Sequence, residues 1–208
     1  MRRIDRFPYR CCHFALIVVL CHFSTQQIAR AGWKAGVATA KITPEKSMWM
    51  AGFAARKKPS EGVAQDLYAK ALAIQDEQGQ RLVIVTTDLI GIPRDLRLKL
   101  AQQAQEKHKL PREGLWLNAS HTHCGPELRM KRVSLDGPAE DVEQRLKVSL
   151  DYMARLEQQL IEIIGVALDK LEPANLDYLH ARCGFAMNRR RPTVTGVTNS
   201  PHSDGPVN

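Results

Sequence analysis

Between residues 142 and 171 apolar side chains recur at every third or fourth position. They are Val142, Leu146, Leu150, Met153, Leu156, Leu160, Ile163, Ala167 and Leu171. That spacing draws one continuous stripe along a helix, and a stripe of this length must lie on a broad apolar surface. It reads as core and excludes a cofactor box. The spacing predicts a helix from about Pro138 to Leu171, closed off by Glu172-Pro173. Glu140, Asp141 and Glu143 suit its positive N-terminal end, and Lys170 suits the other end.

Strand patterns supply the surface. Gly36 to Ile42 reads as a first strand, stopped by Thr43-Pro44. Residues 46 to 62 are irregular, with Arg56-Lys57-Lys58 as a solvated loop tip. Leu67 to Gln75 and Leu82 to Thr87 read as strands joined by Asp76-Glu77-Gln78-Gly79, which has the chemistry of a hairpin turn. Pro93 opens a helix from about Arg94 to Lys109, in which Leu96, Leu100 and Ala104 share a face. A strand at Leu115 to Asn118 precedes the long helix. Another, Leu176 to Phe185, follows it and delivers Asn188-Arg189-Arg190-Arg191 to a loop. Helices between strands favour parallel pairing and the early hairpin is antiparallel. The fold expected is α/β, a mixed β-sheet flanked by helices.

Leu115-Trp116-Leu117 runs directly into Asn118-Ala119-Ser120-His121-Thr122-His123-Cys124-Gly125-Pro126. In an extended backbone, residues i and i+2 point to the same side, so His121 and His123 converge. Gly125-Pro126 is then expected to turn the chain away. Paired imidazoles at a strand end are a common way to build a metal or acid/base site. The spacing alone leaves ordinary loop histidines equally open. Asp88 closes an apolar strand, where it serves either as a partner for a histidine or as a cap or turn acceptor. His108 and His180 read as surface or packing residues. Ser120 has no G-x-S-x-G elbow, which excludes a serine-hydrolase reading. No Asp-His follows His123, which disfavours the metallo-β-lactamase type of H-x-H site.

Taken together, several blocks resemble the N-terminal domain of the neutral/alkaline, non-lysosomal ceramidases. They are Ala35 to Pro44 with Met50-Ala51-Gly52-Phe53, Asp66 to Leu72, the strand Leu82 to Leu89, Ser120 to Pro126, and Gly184-Phe185-Ala186-Met187-Asn188-Arg189. The resemblance implies a zinc (Zn2+) amidase that cleaves the N-acyl bond of ceramide, or of a related lipid amide, to a sphingoid base and a fatty acid. It implies that His121 is a metal ligand and that His123 and Arg189 are catalytic residues near the substrate amide. Arg189 heads a run of three arginines that reads on its own as a solvated or phosphate-attracting face. Only the match to Asn-Arg singles it out. The family's other ligands are a histidine, a glutamate and a tyrosine further along, and His202 sits in the wrong context to be one. The domain expected over residues 32–208 is therefore a C-terminally incomplete, partial catalytic domain. Its activity stays open between an amidase and a catalytically inactive fragment or binding domain that keeps the fold and part of the metal site.

The chain has 208 residues and a formal charge of +8. Arg2, Arg3, Arg6, Arg10, Arg30 and Asp5 lie in the first 31 positions, and the remainder holds 25 basic against 21 acidic residues. That mild surplus comes with no nucleic-acid-binding motif, so no nucleic-acid partner is expected. A possible weak peripheral membrane contact is consistent with it. The first arginines precede an apolar core, Phe14 to Leu20, and Ala29-Arg30-Ala31 offers small residues where a signal peptidase reads. Residues 1–31 are expected to be a signal peptide that is removed on export to a secreted or periplasmic location. Cys11, Cys12 and Cys21 leave with it. Cys124 and Cys183 remain, with a bridge and two free thiols both open. N-terminal sequencing of exported protein is expected to begin at Gly32; a mature product that keeps Phe14 to Phe23 would overturn the assignment.

Overall fold

The computed structural model describes residues 32–53, 55–183, 190–193 and 196–199. The signal segment, Arg189 and His202 lie outside the described residues. The chain divides into two compact units, one ending at Asn175 and the other beginning at Leu176.

The first unit is built on a five-stranded sheet. Its strands are β1 (Trp33–Lys41), β2 (Tyr68–Gln75), β3 (Arg81–Thr87), β4 (Leu115–Ala119) and β5 (Glu172–Ala174), in the spatial order β4-β3-β2-β1-β5. β3 and β4 are parallel, from Val83 opposite Leu115 to Thr87 opposite Ala119, and every other pairing is antiparallel. The sheet is mixed, as expected. The β2–β3 hairpin turns as Asp76-Gly79 predicts. Asp76 accepts the Gly79 amide through its carbonyl at 3.1 Å and the Gln80 amide through its carboxylate at 2.7 Å. Helix α1 (Arg94–His108) makes the crossover between the parallel pair. It ends on Lys109, a left-handed residue whose amide bonds back to the Gln105 carbonyl, while the next amide, of Leu110, bonds the Ala104 carbonyl.

A short helix α2 (Met130–Leu135) and a 3-10 turn at Ala139–Asp141 lead into α3 (Val142–Asp169). The expected long helix is present, but its buried stripe begins on different residues. Ser149, Tyr152, Leu156, Leu160, Ile163, Ile164 and Ala167 are buried, whereas Leu150 is 49% exposed. The Tyr152 hydroxyl donates to the Ile42 carbonyl at 2.6 Å inside the core. Burial pushes that phenol well above its ordinary pKa, with Arg155 a smaller opposing influence.

The strands face α3 with small residues. Gly36 and Ala38 on β1 and Ala69, Ala71 and Ala73 on β2 alternate inward with period two. The other face leaves Val37, Leu72 and Trp116 exposed. The expected strand from Leu176 differs most. Residues 176–183 form no strand, and the β1 edge is instead paired three residues after α3, where Trp33 to Ala35 meet Ala174 to Glu172. Tyr178 and Leu179 are 87% and 90% exposed. In the second unit, β6 (Arg190–Thr193) and β7 (Gly196–Asn199) form an antiparallel pair.

Gly36 is where helix and sheet approach most closely. A Cβ there would lie 2.1 Å from the Ala167 carbonyl oxygen and 2.8 Å from the Lys170 carbonyl carbon. Backbone cannot yield as a side chain end can, so Gly36→Ala is expected to cost about 1–3 kcal/mol. Urea denaturation of the two chains measures it, and equal midpoints would refute the close approach.

Candidate functional site

The parallel pair ends in two loops at one sheet edge, the position where open α/β sheets hold ligands. Hydrogen bonding continues past the strands. The Ser120 amide donates to the Thr87 carbonyl at 3.1 Å, and the Thr122 amide donates to the Leu89 carbonyl at 3.1 Å. The Thr87 hydroxyl returns a bond to the Asn118 carbonyl at 3.1 Å. These contacts tie residues 120–122 to residues 87–90.

His121 stands between these ties, with φ at 59°. The extended i, i+2 geometry expected from the sequence is therefore absent. His121 and Cys124 (φ 69°) turn the chain, and the two imidazoles meet across that turn with ring centroids 5.3 Å apart. Gly125-Pro126 follow that turn, with a further bend at Gly125. They run beside Met50 and Ala51, through Cys124 amide to Ala51 carbonyl at 3.0 Å, Ala51 amide to Gly125 carbonyl at 2.7 Å and Glu127 amide to Trp49 carbonyl at 3.0 Å.

The His121 ring bonds the Ile90 carbonyl through Nδ1 at 3.0 Å. A carbonyl only accepts, so Nδ1 carries the hydrogen and the lone pair lies on Nε2. Metal-ligating histidines are typically oriented in this way, with one ring nitrogen donating to a carbonyl and the other left to the ion. Asp88 takes the other role open to it. Its carboxylate accepts the Tyr68 amide at 2.8 Å while its own amide donates to the Tyr68 carbonyl at 3.0 Å, as a turn acceptor.

His123 packs edge-on against Phe53, with centroids 5.0 Å apart, and flat against Gly52. A Cβ on Gly52 would lie 2.5 Å from the His123 ring, and its φ of 79° is a conformation that side chains rarely adopt. His123 borders two cavities. One, of about 1050 Å³, is lined by Met50, Phe53, Val63, Leu67, Asp88 and Thr122 among others. The second, about 150 Å³, reaches Glu127, Arg129, Arg132 and Asp136. His108 stacks on Gly165 as a packing residue, and His180 is exposed. Cys124 and Cys183 are both free and exposed. Among the described residues, no group of three or more His, Cys, Asp or Glu side chains is placed to hold a metal ion.

Glu127 is the residue that the sequence reading missed. Its side chain is 3% exposed and accepts Arg129 Nε at 2.7 Å, a terminal nitrogen at 2.6 Å and the Arg129 amide at 2.9 Å. The clue was a glutamate between Pro126 and Leu128 in an otherwise apolar context. Burial alone raises its pKa, but the hydrogen bonds and charge of Arg129 more than offset this and hold the carboxyl below its ordinary 4.5. The folded chain therefore binds fewer protons than the unfolded chain just below that value, so stability falls as pH falls through it. Because Arg129 reaches solvent, Glu127→Gln is expected to cost about 1–2 kcal/mol at neutral pH, less than a fully buried pair. The difference from wild type is expected to shrink below pH 4.5. Urea titrations of both chains at pH 7 and in acid measure it, and a gap independent of pH would refute the ionised pair.

Comparison with known proteins places this geometry in context. The family model described as neutral/alkaline non-lysosomal ceramidase, N-terminal, matches residues 33–191. Neutral ceramidases of Drosophila pseudoobscura pseudoobscura and Drosophila melanogaster are 29% and 28% identical over 104 residues, which is 48% of this chain and 14% of each relative. The crystal structure of neutral ceramidase from Pseudomonas aeruginosa matches with a TM-score of 0.53 and 26% identity, covering 68% of this chain and 22% of that one. A structure titled as ceramidase complexed with C2 matches with a TM-score of 0.51 and 27% identity over the same shares. The chain thus spans under a quarter of the length of the proteins it matches. With the family model covering most of its length, the chain belongs to the neutral/alkaline non-lysosomal ceramidase family, in that family's N-terminal region.

Proposed function

We propose that the chain carries part of the active site of a zinc-dependent amidase that hydrolyses the N-acyl bond of ceramide or a related lipid amide. The observation that carries this reading is the bond from His121 Nδ1 to the Ile90 carbonyl, which leaves Nε2 free to ligate. Zinc held there would polarise the amide carbonyl and lower the pKa of a bound water. A catalytic zinc takes about three protein ligands, so His121 supplies one position of a set. His123, centred 5.3 Å from the His121 ring, holds or donates a proton at the amide and its tetrahedral intermediate. Arg189 adds a donor for the developing oxyanion. The cavity of about 1050 Å³ beside His123, with Met50, Phe53, Val63 and Leu67 in its wall, matches an apolar acyl or sphingoid chain.

Export through the N-terminal signal and peripheral contact with membranes complete the reading. Phe53 and Val63, 60% and 61% exposed, stand on the same segment as Arg56, Lys57 and Lys58 and support the contact with lipid. Among the described residues, no helix is long and apolar enough to cross a membrane. The rival reading is a catalytically silent domain that keeps the fold and part of the metal site.

Zinc titration by calorimetry, together with assay of N-acylsphingosine hydrolysis, separates these readings. The His121→Ala variant is expected to weaken zinc binding at least about ten-fold. The changes His123→Ala and Arg189→Ala, made at the matching positions of a full-length relative that supplies the other ligands, are expected to keep zinc and lower turnover by about 10²–10³. Loss of zinc on His123→Ala with retention on His121→Ala reverses the roles. Zinc binding without hydrolysis favours the silent domain.

A further inference from the structure

We infer that Arg56 is a binding residue for an anionic oxygen, and that the cavity beside His123 takes an amphiphile with a carboxylate head and an apolar tail. Arg56 lines both cavities that border His123. Arg56 is half-buried as a residue, yet its protein contacts are poor ones for a cation. A terminal nitrogen donates to Cys124 Sγ at 3.2 Å, and Cζ sits 5.9 Å from the Phe53 ring centroid. Sulfur is a weak acceptor, and a ring face engages the charge without taking an in-plane N–H. The Nε–H is buried with no hydrogen-bond partner among the described residues.

The neighbouring cations are spoken for. Arg129 pairs with Glu127 at 2.6 Å, Arg132 with Asp136 at 3.7 Å, and Lys58 with Glu61 at 2.6 Å. Among the described residues, no carboxylate lies within ion-pair distance of Arg56. Lys57 also faces the large cavity but stands in solvent, where a hydrated ammonium gains little from an added anion.

Arg56 is different. It is a weakly hydrated planar fork with no carboxylate partner among the described residues, set in a wall that also presents Met50, Phe53, Val63 and Leu67. A carboxylate fits the terminal nitrogens of that fork, and an alkyl tail covers the apolar wall. A neutral head of the same size satisfies the donor without the charge. The subsite therefore selects for ionised acids over their amides. Naming the acid as the fatty acid released by hydrolysis rests on the amidase reading above, whereas the carboxylate subsite does not.

Calorimetric titration of the zinc-free chain with octanoate and with octanamide, which share a tail and differ in head charge, tests this. Octanoate is expected to bind wild type at least about ten-fold more tightly than octanamide. Arg56→Gln is expected to bring the two ligands within about two-fold of each other, chiefly by weakening octanoate. Arg56→Lys is expected to retain part of the preference, because charge persists without the fork. Equal binding of the two ligands by wild type, no octanoate binding, or an undiminished preference in Arg56→Gln overturns the proposal. The wild-type comparison needs no substitution, so it decides the matter even if the variants fail to fold. Octanoate selectivity in a chain whose zinc binding is indifferent to His121→Ala leaves the subsite standing and removes the amidase reading. Hydrolysis without that selectivity does the reverse.

Discussion

The candidate site depends on hydrogen bonding between β3 and β4 that outlasts both strands. Parallel strands end at the same sheet edge, so the segments leaving Thr87 and Ala119 start side by side. The Ser120 and Thr122 amides then bind the carbonyls of Thr87 and Leu89, and the His121 ring takes the Ile90 carbonyl. An imidazole bonded in this way has one tautomer and one orientation. Neither property belongs to the histidine itself. Both come from the backbone of the neighbouring strand, held in register by α1, which joins the pair.

A second tie acts from the other side. Residues 49–51 run against residues 124–127 through three backbone bonds of 2.7 to 3.0 Å, with the Glu127–Arg129 pair at the end of the ladder. Positive backbone angles concentrate where the two segments face each other, at Gly52, Phe53, His121 and Cys124. For the last three a left-handed conformation is disfavoured, and such residues persist only where surrounding contacts over-determine them. The ladder and the strand extension supply those contacts. Gly52 makes room for His123, and Phe53 holds its edge.

Small side chains on the sheet let α3 come close enough to act as a lid on the core. The Gly36, Ala38, Ala69, Ala71 and Ala73 face has little volume of its own, so Leu156, Leu160 and Ile164 fill the space between the layers. Tyr152 reaches the Ile42 carbonyl from the same helix and links the end of β1 to α3. Thr43, one residue further on, donates to Asp66 at 2.9 Å and accepts the Leu67 amide at 2.8 Å. The start of the irregular segment that carries Gly52, Phe53 and Arg56 is thereby anchored next to its end.

Periodicity by itself determined the strands of the early hairpin, the crossover helix and the long helix, because burial on one face imposes period two or 3.6 whatever the tertiary context. The family motifs marked His121, His123 and Arg189 for the same reason that motifs exist: particular side chains at particular spacing. Periodicity failed at Leu176 to Phe185, of which the described residues 176–183 form no strand. It also misplaced the buried face at the start of α3, where Ser149 and Tyr152 are buried and Leu150 is exposed. What only the tertiary structure decided is how the histidines are held. The tautomer of His121, the turn that brings His123 to it and the burial of Glu127 all depend on contacts between residues far apart in the chain. Local spacing carries no record of a backbone carbonyl thirty-one residues away, and that carbonyl sets which nitrogen of His121 is free.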